Sequence, residues 1–273
     1  MKLQSTKDTG GKWMRVILTG DSGVGKTQAT ATAPDPILRW NIRGEGDGEA
    51  TLSDMDIATL QINSYDDLEM AYAATVTAIG GKYARSTEYD PPEVKCSIDV
   101  EETKALVAEL KKLKPISLVV DSITALQNIF IEHAFYLNGG QYKDGRPTYG
   151  ALGDMTRFWI ERRFVALPMH IIFTALLKGT ENPVTGQTFY SPAYRGNASS
   201  GIIDPAMSHI LPIHKKVDEW APEHNRWFQT EIGESMTAKM RKPISRKVPA
   251  LIPADLKQVL AIHEIVKKES PND

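Results

Sequence analysis

The run Gly20-Asp21-Ser22-Gly23-Val24-Gly25-Lys26-Thr27 has the residue types and spacing of a phosphate cradle, G-x-x-x-x-G-K-[ST]. Its glycines let the backbone curl with successive N–H groups pointing inward, and a helix starting at the lysine adds a dipole that favours negative charge. Lys26 is expected to reach the β- and γ-phosphates of ATP, and the Thr27 hydroxyl to complete a Mg²⁺ shell. At average composition the pattern arises by chance in roughly 1% of chains of this length. A second piece is Ile116-Ser117-Leu118-Val119-Val120-Asp121-Ser122, an apolar run ending in a carboxylate. Asp121 is expected beside the Mg²⁺, although an aspartate at a strand end also suits a helix N-cap.

Such groups need strands to carry them to one edge. Apolar segments of strand length recur at residues 14–19, 37–42, 116–121 and 169–176, rich in Ile, Leu and Val as parallel strands covered on both faces are. Helical patterns lie between them: 26–33, halted by Pro34; 66–79, with a capping-box candidate in Ser64 and Asp67 and with Gly80-Gly81 after it; 102–113; 125–137; and 152–167. This alternation predicts an α/β fold, a mostly parallel sheet flanked by helices. Beyond Leu176 the spacing predicts strands without helices at 208–215, 226–232 and 235–241, the last two turning at Gly233-Glu234 as a late antiparallel hairpin extending the sheet edge. Pro253 is expected to open a final helix to Lys268. The expected organisation is a flexible arm over 1–12, an ATPase core over 13–250, and a C-terminal helix and tail over 251–273. Two stretches, 82–99 and 178–200, carry no clear pattern.

The composition is that of an ordinary globular chain: 273 residues, 41% hydrophobic, 24% charged, net charge −2. No global positive field marks nucleic acid or anionic membrane as partner, so any such contact must be local. One cysteine, Cys96, cannot form an internal disulfide, the first residues lack an apolar signal core, and the longest apolar run is too short to span a bilayer. A cytoplasmic protein without membrane contact is expected. The six histidines show no metal spacing, and no covalent nucleophile motif is present.

With the P-loop and the Leu118-Val119-Val120-Asp121-Ser122-Ile123-Thr124-Ala125-Leu126 run in place, the chain resembles RecA-like ATPases, and among them the compact phage RecA-like proteins of single-strand annealing and recombination. The resemblance spans roughly residues 13–245. It implies a water-positioning glutamate after the second strand, where Arg43-Gly44-Glu45-Gly46-Asp47-Gly48-Glu49 offers Glu45, with Glu49 as the alternative. It implies a polar residue ending the strand after Asp121, here Thr174, which couples nucleotide state to the next loop. It also implies that Lys239 and Arg241, two apart on a strand and pointing the same way, enter the nucleotide site of a neighbouring subunit in a ring or filament.

In the same family the loop after the helix that follows the Asp121 strand and the loop after the strand ending at the polar residue line a DNA channel. The corresponding stretches are 138–146 and 178–200, the second containing Lys178, Phe189, Tyr190, Tyr194 and Arg195. Aromatic faces stack bases without sequence preference while cations meet phosphates. The function expected is therefore that of a MgATP-hydrolysing protein acting on single-stranded DNA in phage-type recombination or annealing, with a single-strand binding protein as a further partner. Two other readings use the same residues: a helicase or packaging motor, and a nucleotide-dependent switch or loader that acts on a protein partner without touching DNA.

Overall fold

The computed structural model describes residues 13–43, 48–83, 100–137, 140, 146–215, 225–242 and 247–268. Six parallel strands form its centre: β1 (Arg15–Thr19), β2 (Ile37–Ile42), β3 (Ala58–Ile62), β4 (Ser117–Asp121), β5 (His170–Ala175) and β8 (His209–Lys215). They lie in the order β3-β2-β4-β5-β1-β8, so β5 separates the strand that feeds the P-loop from the strand that ends in Asp121. Each of β1, β2, β4 and β5 is buried along its whole length, as their near-continuous apolar sequences require of a sheet covered on both faces.

Side chains alternate across this sheet and sort into two cores. Ile17, Leu118, Phe173 and Trp40 face one side, under α3 (Tyr65–Ala78), α4 (Val100–Leu113), α5 (Ile123–Leu137) and α6 (Arg146–Arg157). Val16, Leu18, Val119 and Ile172 face the other, under α1 (Lys26–Thr30) and α8 (Leu256–Lys268). The short α2 spans Gly48–Thr51. Helix α3 starts where the sequence indicates: the Ser64 hydroxyl accepts from Asp67 N at 3.1 Å, and the Asp67 carboxylate accepts from Ser64 N at 2.9 Å. Such a cap contributes about 1 kcal/mol. Among the described residues no helix is long and apolar enough to cross a membrane.

Several expectations change. The helix expected over 152–167 begins earlier, at Arg146, and passes at Phe158 into a π-helical stretch that runs to Phe164. Strand β3 escapes the sequence pattern because, as an edge strand, only Ile62 of its residues is fully buried. The patternless 178–200 folds as a β-ribbon, β6 (Leu177–Glu181) against β7 (Thr188–Pro192), followed by helix α7 (Ser199–Ala206). That helix carries the chain back across the sheet, so β8 joins β1 in parallel rather than as an antiparallel edge. The hairpin expected between 226–232 and 235–241 does not form. Strand β9 (Arg226–Gln229) pairs with the C-terminal part of β8, and β10 (Lys239–Met240) with its N-terminal part. Pro253 belongs to β11 (Leu251–Pro253), paired with β9, and α8 starts only at Leu256, whose N–H donates to the Thr32 hydroxyl at 2.8 Å. The arm over 1–12 and most of 82–99 and 138–146 lie outside the described residues.

Candidate nucleotide site

The loop Gly20–Thr27 leaves the end of β1 and enters α1. Gly23 and Gly25 have φ of +75° and +97°, conformations that a Cβ would strain. Gly25 also has no room: a Cβ there would lie 2.1 Å from Nε of Arg226, whose guanidinium crosses the loop and donates to the Val24 carbonyl at 3.0 Å. Lys26 extends along the loop, its ammonium 2.8 Å from the carbonyl oxygens of both Gly20 and Asp21. The side chains of Asp21 and Ser22 are exposed.

Asp121, at the end of β4, is the centre of the site. Its Oδ1 accepts the Thr174 hydroxyl, and its Oδ2 accepts both the Thr27 hydroxyl at 3.3 Å and Nη2 of Arg39 at 3.0 Å. The convergence follows from parity. Arg39, Val119, Asp121, Ile172 and Thr174 all point to the face covered by α1, on three adjacent strands whose register sets Asn41 beside Asp121 and Val120 beside Phe173. A long side chain from Arg39, two residues back along β2, therefore reaches the carboxylate. The expected trio of Thr27, Asp121 and Thr174 is brought together. Arg39 was not among the expected residues, yet a lone charge inside the buried run Ile-Leu-Arg-Trp-Asn-Ile signals an obligate partner. Arg226 left no such signal, because it meets the P-loop from 202 positions away.

The hydroxyl of Thr27 and the carboxylate of Asp121 are hard oxygen donors within one hydrogen bond of each other, the ligand type that Mg²⁺ takes. A cavity of about 250 Å³ opens beside α1, lined by Gln28, Thr32, Asn225, Arg226, Ala254 and Gln258 among others. A larger one, about 510 Å³, lies between α3 and α4 on the opposite face of the sheet and touches none of these groups.

The remaining expected residues fall in three places. Glu45 lies outside the described residues, as does the side chain of Glu49. Lys239 and Arg241 sit beside the start of β8, at the opposite end of the parallel strands from the P-loop. The Lys239 ammonium donates to the carbonyls of Asp204 and Met207, each at 2.7 Å, capping the end of α7, and Arg241 reaches the Pro205 carbonyl at 3.3 Å. Burial, together with the nearby Arg241 charge, lowers the Lys239 pKa. Any reach into a neighbouring nucleotide site requires Lys239 first to leave this cap.

Lys178, Phe189 and Tyr190 are exposed on the β6–β7 ribbon, with Lys178 and Phe189 on one face and Tyr190 on the other by cross-strand register. Tyr194 is not available as a stacking platform. It packs against the main core, its hydroxyl donates to Asp204 at 2.6 Å, and burial holds its pKa well above the ordinary value. Arg195 is exposed but directed sideways, its Nε donating to Asn128 at 3.0 Å.

Residues 12–242 match the family described as the AAA domain, and the chain belongs to that family. It is a P-loop ATPase-type domain, with the cradle, the terminal carboxylate of β4 and the polar end of β5 on adjacent parts of one sheet. Among solved structures it is similar to a KaiC-like protein from the hyperthermophilic archaeon Pyrococcus horikoshii, with 14% identity over 83% of this chain and 82% of that one and a TM-score of 0.35. No curated protein matches the chain.

Proposed function

We propose that this domain binds and hydrolyses MgATP and couples the state of that site to single-stranded DNA held on the β6–β7 ribbon, in recombination or annealing of the kind the phage RecA-like proteins carry out. The observation that carries the coupling is at the foot of the ribbon. Thr174, hydrogen-bonded to Asp121, is two residues from Leu176, and the Leu176 carbonyl accepts the Thr19 hydroxyl at 3.3 Å and the Ala193 N–H at 2.7 Å. Thr124, at the start of α5, donates to the Ala193 carbonyl at 2.7 Å. Both legs of the ribbon are thus tied to β1, β5 and α5, the elements around Asp121.

Phosphates are held in this reading by the N–H groups of the Gly20–Thr27 loop and by Lys26, which turns from its own loop carbonyls to the β- and γ-oxygens. Thr27 and Asp121 would hold a magnesium ion, whose positive charge would offset the negative charge developing on the phosphoryl oxygens. The cavity between α1 and Ala254 takes the base. Lys178 supplies a phosphate contact and Phe189, on the same face of the ribbon, a stacking surface.

The test is steady-state ATP hydrolysis with and without single-stranded DNA, with Lys26→Ala as the blank. Stimulation by DNA that fades with salt is expected, because each phosphate contact releases counterions. Lys178→Ala combined with Phe189→Ala should remove the stimulation and keep basal hydrolysis. Hydrolysis indifferent to DNA at low salt would overturn the DNA reading and leave a switch that acts on a protein partner.

A further inference from the structure

We propose that Arg39 is a counter-ion built into the metal site: without nucleotide its guanidinium occupies the Asp121 carboxylate and holds divalent cations off, so that metal enters only together with phosphates. The inference rests on reading Thr27 and Asp121 as the metal-holding pair.

Arg39 is 1% exposed in the interior of a fully buried strand, so no water screens its charge. Its guanidinium is a planar, rigid fork whose donors are directed rather than diffuse. Its Nη2 shares Oδ2 of Asp121 with the Thr27 hydroxyl, while the Thr174 hydroxyl takes Oδ1. All three donors are fixed by neighbouring strands and the P-loop, and together they engage both oxygens of the carboxylate. A dication approaching the nucleotide-free site meets a neutralised ion pair and a fixed positive charge on its far side. Lys26 adds another cation beside the same loop. The phosphates of a bound nucleotide reverse the sign of the local field, and only then does the pair Thr27 and Asp121 favour a dication. Burying an arginine in a central strand is expensive unless it is paired; its pairing with this one carboxylate ties its presence to the metal site rather than to the packing of β2.

Mn²⁺ bound by the full chain, read by electron paramagnetic resonance with no nucleotide and then with ADP, tests this without any turnover. Wild type should bind Mn²⁺ weakly alone and far more tightly with ADP. Arg39→Gln keeps an amide donor for Oδ2 but removes the charge, and it should bind Mn²⁺ alone at least about tenfold tighter, the scale of repulsion between a unit charge and a dication a few ångströms apart. Arg39→Lys should behave as wild type. An Arg39→Gln affinity equal to or weaker than wild type overturns the proposal. Asp121→Asn separates the two readings: if it leaves Mn²⁺ binding with ADP intact, the metal pair itself is misassigned. Should Arg39→Gln fail to fold, the ¹⁵N guanidinium resonance of Arg39 in wild type decides. It must move on adding MgADP and stay in place with Mg²⁺ alone, and an unmoved resonance with MgADP refutes the inference.

Discussion

Acid should loosen this fold through the histidines at the N-terminal end of the parallel strands. His209 opens β8, is fully buried, and has Nε2 3.3 Å from Nδ1 of His263 on α8, while its own Nδ1 finds no hydrogen-bond partner among the described residues. Burial first, then the charges of His263, Arg241 and Lys239, lower its pKa from 6.5 to about 3. His170 opens β5, accepts the Met14 N–H at 3.1 Å, and is lowered to about 4 by burial, His263 and Arg15. Both folded values lie below the unfolded one. At pH 7 neither state holds the proton and the full stability is present; below 6.5 the unfolded chain takes up protons that the folded chain refuses, and stability falls until the folded values are reached. At pH 5 the deficit is 1.5 pH units per histidine, about 2 kcal/mol each and about 4 kcal/mol for the pair, a large share of the 5–15 kcal/mol typical of a domain. Urea unfolding followed by tryptophan fluorescence at pH 7, 6 and 5 measures it, in a window where carboxylates of ordinary pKa titrate little. His209→Gln should recover about half of the loss. Stability that is flat from pH 7 to pH 5, or a His209→Gln slope equal to wild type, would refute the assignment of these rings as buried and neutral.

Gly25→Ala should lower stability by more than about 1–2 kcal/mol in thermal unfolding, because the left-handed backbone strains any Cβ and Arg226 fills the space it needs. Adding Arg226→Ala removes the clash but not the strain, so recovery should be partial. MgATP should raise the melting temperature of wild type, and Lys26→Ala should abolish that rise while leaving the melting temperature without nucleotide within a degree or two. Glu69 and Arg163 form a buried ion pair at 2.7 Å between α3 and the π-helical stretch, with the guanidinium 4.1 Å from the Trp159 ring. Glu69→Leu alone should cost about 3–5 kcal/mol by leaving that charge unpaired, and Glu69→Leu with Arg163→Met should cost much less, both read by urea unfolding.

What was legible in the sequence follows from the range of each interaction. The P-loop is eight consecutive residues, and β1, β2, β4 and β5 are buried on both faces, so local pattern alone reveals them. Parity then fixes which faces Asp121 and Thr174 share, and applied to Arg39 it would have added the fourth group of the site. The ribbon, α7 and the late strands were opaque because their partners are remote. Strand β8 pairs with β1 across nearly 200 positions, and β9 pairs with β8 and β11 instead of with the segment that follows it. A sequence that reads as a local hairpin at Gly233-Glu234 is overruled because β8, buried over its first five residues, takes β9 on one half and β10 on the other. The same distance hid what Lys239 does: the pattern Lys-Met-Arg speaks of cations presented outward, whereas the carbonyls that end α7, brought over by the parallel crossover into β8, turn the lysine inward. Whether it also serves a neighbouring site therefore depends on the energy of uncapping α7, a quantity set by the crossover and invisible in the tripeptide.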